Sequence, residues 1–149
     1  MVTGSLLFSL LCMRETFIQE QLNPNIKNAL YSNFSNAYEA IQEIVDNSVG
    51  HRIPGKKLQI KIFFITKPKA IEIQDIGGSG MKLRDLEFFF NWGGTKERTD
   101  YDIGLYSQGG KSAIGYLGNS FNLVTSPDFS ESPQEGNFEY RIEDTNLRD

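Results

Sequence analysis

Asn36-Ala37-Tyr38-Glu39-Ala40-Ile41-Gln42-Glu43-Ile44-Val45-Asp46-Asn47-Ser48-Val49 sets apolar side chains at Ala37, Ala40, Ile41, Ile44, Val45 and Val49. That spacing is the stripe of an amphipathic helix. Asn36, with Glu39 three residues on, resembles a capping pair in which Asn replaces the usual Ser or Thr. Gly50 and Pro54 are expected to stop the helix. Glu43 and Asn47, at i and i+4, are neighbours on one flank of the stripe, so both can face a pocket while the stripe packs on a sheet. Asp46 points away, toward solvent or a supporting partner. An Asn side-chain oxygen is a hard ligand that suits Mg²⁺. A Glu one turn away can orient a water and accept its proton. The plain alternative is an amphipathic helix with polar flanks.

Outward from this helix, Leu58 to Thr66 and Ala70 to Gln74 are β-branched and aromatic runs joined by Lys67-Pro68-Lys69, which reads as an antiparallel hairpin. Lys82 to Phe90 reads as a short helix, and Asn91 to Gly104 as a loop or lid. Ser112 to Leu117 reads as one or two helical turns, and Phe121 to Thr125 and Phe138 to Ile142 as strands. On the N-terminal side, Met13 to Gln21 reads as helix that Asn23-Pro24 would end. The order is helix, two strands, helix, loop, helix, two strands. It predicts an α+β fold, a two-layer sandwich with a mixed sheet and helices on one face.

Two further segments carry chemistry. Asp75-Ile76-Gly77-Gly78-Ser79-Gly80-Met81 places a carboxylate at a predicted strand end, ahead of three glycines. The carboxylate can accept from an exocyclic amine such as adenine's, while glycine lets the backbone approach a flat ring. Met81 can pack on such a ring. The competing reading is a glycine-rich turn closing a strand. Gly104-Leu105-Tyr106-Ser107-Gln108-Gly109-Gly110-Lys111-Ser112 is glycine-spaced and opens a helix, an arrangement that cradles anions. Lys111 can add charge toward a terminal phosphate. A P-loop is rejected, because the G-x-x-x-x-G-K-[ST] spacing is lacking and no apolar strand leads directly into the segment. Thr95-Lys96 can reach phosphates from the preceding loop, or simply be solvated. Trp92 reads as a loop anchor. His51 is the one histidine, and neither a Cys/His metal cluster nor a Ser/His/Asp set is apparent.

Composition bounds these readings. The chain has 149 residues, enough for one domain with a core, and 39% hydrophobic content, as expected of a globular protein. A net charge of −4 argues against gripping nucleic acid by bulk electrostatics. Residues 51–69 nevertheless hold six Lys or Arg and no acid, while acids dominate from Asp128 to Asp149. The basic stretch is a solvated hairpin face or a patch for DNA, RNA or an acidic partner. Cys12 is the one cysteine and cannot form an internal disulfide, which fits a reducing compartment, cytoplasmic or, in a eukaryote, nuclear. Residues 1–21 are expected to form an N-terminal apolar segment or arm, centred on Leu6-Leu7-Phe8-Ser9-Leu10-Leu11. It lacks the features of a signal peptide and is too short to span a bilayer, so no membrane association is expected. A packing segment, a dimer-swap arm and an over-long gene start with Met13 as the true start all remain open.

The three motifs together resemble the GHKL ATPases, the Bergerat fold shared by gyrase B, the ninety-kilodalton heat-shock chaperones, MutL and sensor histidine kinases. Glu43-x-x-Asp46-Asn47 resembles the family's first motif, Asp75 to Met81 its second, and Gly104 to Gly118 its third. The wording around Asn47-Ser48 and Gly109-Gly110-Lys111-Ser112-Ala113 is most like the MORC group. The resemblance covers roughly residues 22–126 and implies that residues 22–149 are an ATP-binding domain. It implies Glu43 as catalytic base and Asn47 as Mg²⁺ ligand. It implies Asp75 as the reader of adenine, Gly77, Gly78, Gly80 and Met81 along the nucleotide, and Lys96, Gly109, Gly110, Lys111 and Ser112 toward the phosphates. The cofactors would be ATP and Mg²⁺, the partners a second copy and a DNA or protein client. Two departures stand out. The second motif carries one extra residue, which leaves the glycine register open, and neither the fourth-motif Thr nor a transducer domain has a convincing match. The expectation is an incomplete domain that binds ATP and hydrolyses it slowly. The alternatives are a non-hydrolysing nucleotide module and, ranked lower, a histidine-kinase catalytic domain.

Overall fold

Asn36 holds extended backbone (φ −162°) and its side-chain oxygen accepts from Glu39 N–H at 3.1 Å, which starts helix α2, Ala37–Gly50. Glu39 in turn accepts from Ser35 N–H at 3.0 Å. This is the reciprocal cap expected from the sequence, shifted by one residue on the returning bond, and such caps contribute about 1 kcal/mol. Gly50 is the last helical residue rather than the stop. His51 caps the end instead, donating N–H to Asn47 O at 3.1 Å.

The computed structural model describes residues 24–90, 108–128 and 138–147. The remaining elements are helix α1 (Pro24–Tyr31), strands β1 (Gln59–Ile65) and β2 (Ala70–Ile76), helices α3 (Leu83–Phe89) and α4 (Gln108–Leu117), and strands β3 (Phe121–Thr125) and β4 (Tyr140–Asp144). Pro24 opens α1, a helix that the sequence reading did not include. Proline suits the first helical position, where its missing N–H is unneeded and its φ is already helical. The segment from Met13 to Gln21 lies outside the described residues, as does the loop predicted over Asn91 to Gly104.

The chain is α+β. β1 pairs antiparallel with β2 and β3 with β4. Among the described residues no pairing joins these two hairpins into the single mixed sheet that the order of elements suggested. Each is a local pairing, which needs no long crossover.

The helices pack by close approach at glycine. A Cβ on Gly115 of α4 would overlap the ring of Tyr31 at the end of α1, and that ring is only 2% exposed. Ala40 of α2 and Ala113 of α4 are fully buried, so small residues let helix backbones meet. Phe34 meets Tyr116 edge-on at 5.6 Å. Leu86 of α3 and Phe90 just beyond its end are also buried, and the Phe90 ring stacks on Phe121 of β3 at 5.6 Å and 12°. No helix among the described residues is long and apolar enough to cross a membrane.

Candidate functional site

α2 presents Glu43 and Asn47 to the first turn of α4. A Cβ on Gly109 would collide with the Glu43 carboxylate, and one on Gly110 would collide with the Asn47 amide and lie 3.2 Å from Phe89 Cε2. Two glycines of the third motif thus lie directly on the acid and amide of the first. α4 begins at Gln108, four residues ahead of the predicted Ser112, so Gly109, Gly110 and Lys111 sit inside its first turn rather than in a preceding loop. The sequence reading started the helix too late because consecutive glycines are poor helix formers. Packing against α2 overrides that propensity. The amino end of a helix carries partial positive charge and spare N–H groups, so a carboxylate is well placed there.

The second motif is fixed from three sides. Ser79 N–H donates to His51 O at 2.9 Å, and Arg52 bridges to Gly78, which ties the loop to the end of α2. Met81 N–H donates to Thr125 Oγ1 at 2.9 Å, and Asp128 N–H to Ser79 O at 2.8 Å, which ties it to the end of β3. The Lys56 ammonium reaches Asp128 at 2.7 Å and closes the third side. Gly77 (φ +94°) and Gly80 (φ +65°) adopt left-handed backbone, and a Cβ at either would run into a backbone carbonyl, Lys57 O or Ser126 O respectively. Gly80→Ala combines a strained φ with that collision. It is expected to cost about 2 kcal/mol or more and to lower the thermal midpoint. Gly50→Ala, in a helix with nothing within 4 Å of the new Cβ, should instead be stabilising.

Asp75, Gly77, Gly78 and Gly80 line an open depression of about 290 Å³ with Val124, Thr125 and Ser126. Asp75 lies within β2, paired with Ile60, rather than beyond the strand's end as predicted. Its carboxylate is exposed, and Oδ1 lies 3.7 Å from the position a Cβ would take on Gly78. Met81 is half-buried, and its backbone, bonded to Thr125, helps fix the loop.

Lys111 and Ser112 are 4% and 5% exposed. The Lys111 ammonium donates to Phe90 O at 2.8 Å and lies 5.6 Å from the Phe90 ring centroid. It therefore caps the carboxyl end of α3, where a cation is favoured. A phosphate role for Lys111 requires an anion to reach another N–H of this buried ammonium. Lys96 and Thr95 lie outside the described residues.

Thr125 and Ser126 escaped the sequence reading. Thr125 ends an alternating strand, and nothing local ties it to a loop 44 positions earlier. Among the described residues no group of three or more His, Cys, Asp or Glu side chains is placed to hold a metal ion. The chain matches no protein-family model and no curated protein sequence.

Proposed function

We propose that this chain binds Mg²⁺-ATP in a Bergerat-type, two-layer site of the GHKL kind and hydrolyses it slowly, with the nucleotide driving a conformational or dimerisation switch. The observation that carries this reading is the seating of Gly109 and Gly110 on Glu43 and Asn47. Two segments more than sixty residues apart in sequence, each suited to one part of phosphate chemistry, meet where glycine backbone lies against the Glu43 and Asn47 side chains. A helix amino end carries spare N–H groups and partial positive charge, which favour an anion.

In this reading Asp75 accepts from the adenine amine within the Gly77–Gly80 depression, and Thr125 keeps that loop in place through Met81 N–H. Asn47 offers its amide oxygen to Mg²⁺. One asparagine fits an ion that takes most of its ligands from water and phosphates, so a cluster of carboxylates is not required. When bound, Mg²⁺ neutralises charge on the transferring phosphate. Glu43 orients the attacking water and takes its proton. Gly109, Gly110 and Ser112 supply the amino end of α4 to the phosphates, with Lys111 and Lys96 adding charge.

The test is base selectivity. Asp75 accepts hydrogen bonds, so it pairs with the amine of adenine and opposes the carbonyl that guanine carries at the corresponding position. ATP should displace a fluorescent adenine nucleotide at concentrations at least tenfold below those needed for GTP. Asp75→Asn should weaken ATP about tenfold or more and erase the preference. Equal displacement by ATP and GTP from the parent chain would remove Asp75 from the site.

A second reading, nucleotide binding without turnover, is favoured by Lys111. Its ammonium is held at Phe90 O in a buried position, so its charge is committed to the end of α3 and reaches a phosphate only through another of its N–H groups. Phosphate release that is steady in the parent and lost in Asn47→Ala would exclude this second reading.

A further inference from the structure

The β1–β2 hairpin has two chemically different faces. The register pairs Ile60 with Asp75, Ile62 with Ile73 and Phe64 with Ile71. Side chains of directly opposed residues share a face. One face therefore carries Ile60, Ile62, Phe64, Ile71 and Ile73 with no polar residue until Asp75 at its end. The opposite face interleaves Phe63, Ile65 and Ile76 with Gln59, Lys61, Glu72 and Gln74. The uniformly apolar face is open: Phe64 is 70% exposed, Ile62 39% and Ile71 37%. A two-stranded hairpin is marginally stable in water unless something packs on its apolar face. Phe63, Ile65 and Ile76 of the opposite face are also exposed, at 44%, 38% and 51%, but polar side chains separate them there, so the continuous apolar face is the one that cover stabilises most.

A segment of suitable chemistry is present in the chain. Three segments longer than two residues lie outside the described residues, at 1–23, 91–107 and 129–137. Residues 91–107 are interrupted by Lys96, Glu97, Arg98, Asp100 and Asp102, and residues 129–137 by Glu131 and Glu135. The first segment contains the longest apolar stretch of the three, Leu6-Leu7-Phe8-Ser9-Leu10-Leu11, broken only by Ser9, and it carries no charged side chain before Arg14. The absence of charge matches a face on which no charged side chain appears until Asp75. Reach is sufficient. Twelve residues separate Leu11 from Pro24, where α1 begins. Fully extended they span about 40 Å, comparable to the breadth of a domain of this length.

We infer that residues 6–11 of the same chain pack on the Ile60–Ile62–Phe64–Ile71–Ile73 face of the hairpin and form its missing layer. The inference is independent of the nucleotide reading, because it uses neither the glycines nor the Glu43–Asn47 pair. It selects the packing role among the three readings that the sequence leaves open for this segment.

The chain provides its own probe. Cys12 is its one cysteine, so a nitroxide attaches there without substitution, and the hairpin supplies isoleucine methyls on both faces. Full-length chain labelled with ¹³C at isoleucine methyls and carrying the nitroxide at Cys12 is compared with the same sample after reduction of the label. The methyls of Ile62 and Ile71 should broaden several-fold more than those of Ile65 and Ile76 on the opposite face. A second placement, Ser5→Cys in a Cys12→Ser background, should give the same pattern and excludes an effect of the label's own bulk at residue 12. Phe8→Asp should abolish the difference between the faces. No broadening, or equal broadening on the two faces, would overturn the inference. So would face-selective broadening in a mixture where the nitroxide and the isotope are on separate chains, since the occupant would then be a second copy.

Discussion

Glu43→Ala should lower steady-state ATP turnover about a thousandfold while leaving Mg²⁺-ATP affinity unchanged or tighter. The carboxylate lies on the first turn of α4, beside the position assigned to phosphate. If Glu43 is the proposed base, removing it deletes the group that takes the water's proton and also removes a like charge from the anion's neighbourhood. A loss of both turnover and affinity would instead mean that Glu43 holds the site together. Phosphate release and equilibrium binding, measured on the same preparation, separate the two outcomes. Turnover by Glu43→Ala at the parent rate would remove the base assignment altogether.

Gly109→Ala should reproduce much of that defect without touching Glu43. The new methyl would occupy the space taken by the Glu43 carboxylate. The carboxylate is the far end of a flexible side chain, so it moves and the helices need not separate. A displacement of about 1 Å at a reacting group can cost about a hundredfold in rate, and turnover should fall by that amount. Stability should hold or rise, because alanine is a better helix former than glycine by about 1 kcal/mol. The expected signature is a lost rate with an unchanged or raised thermal midpoint. A lowered midpoint with an unchanged rate would show that the contact serves packing alone. The double variant Glu43→Ala/Gly109→Ala should be no slower than Glu43→Ala, since the two substitutions act on the same group.

What the sequence made legible follows from the range of the forces involved. α2 and its Asn36–Glu39 cap were readable because a helical stripe and a capping bond are local. Phe121–Thr125 was readable from its aromatic and β-branched residues, and its burial alternates along the strand. The glycines at 77 and 80 were legible as backbone requirements, and their positive φ values and the carbonyls beside them give the reason. Three features were not legible. Pro24 has opposite meanings at the start and at the end of a helix, and the residues beside it do not decide between them. The early start of α4 depends on Glu43 and Asn47 of a distant helix. Thr125 entered the depression through a bond to Met81 that no spacing rule anticipates. Motif spacing identified residues able to act together, and tertiary packing decided which of them touch.

Lys111 shows why residue type alone is insufficient. A lysine after two glycines at a helix start suggests an anion ligand. Here its buried ammonium serves the end of α3. The same side chain can link nucleotide binding to the position of α3 if phosphate draws it from Phe90 O.

The most direct test of a single Mg²⁺-ATP site built from the three motifs is a calorimetric titration of the full chain with Mg²⁺-ATP, run beside Asn47→Ala and Asp75→Asn. The expected result is one saturable site in the parent chain. Asp75→Asn should weaken it with and without Mg²⁺, and Asn47→Ala should weaken it only when Mg²⁺ is present. No saturable heat from the parent chain, or identical isotherms for all three proteins, would contradict the site.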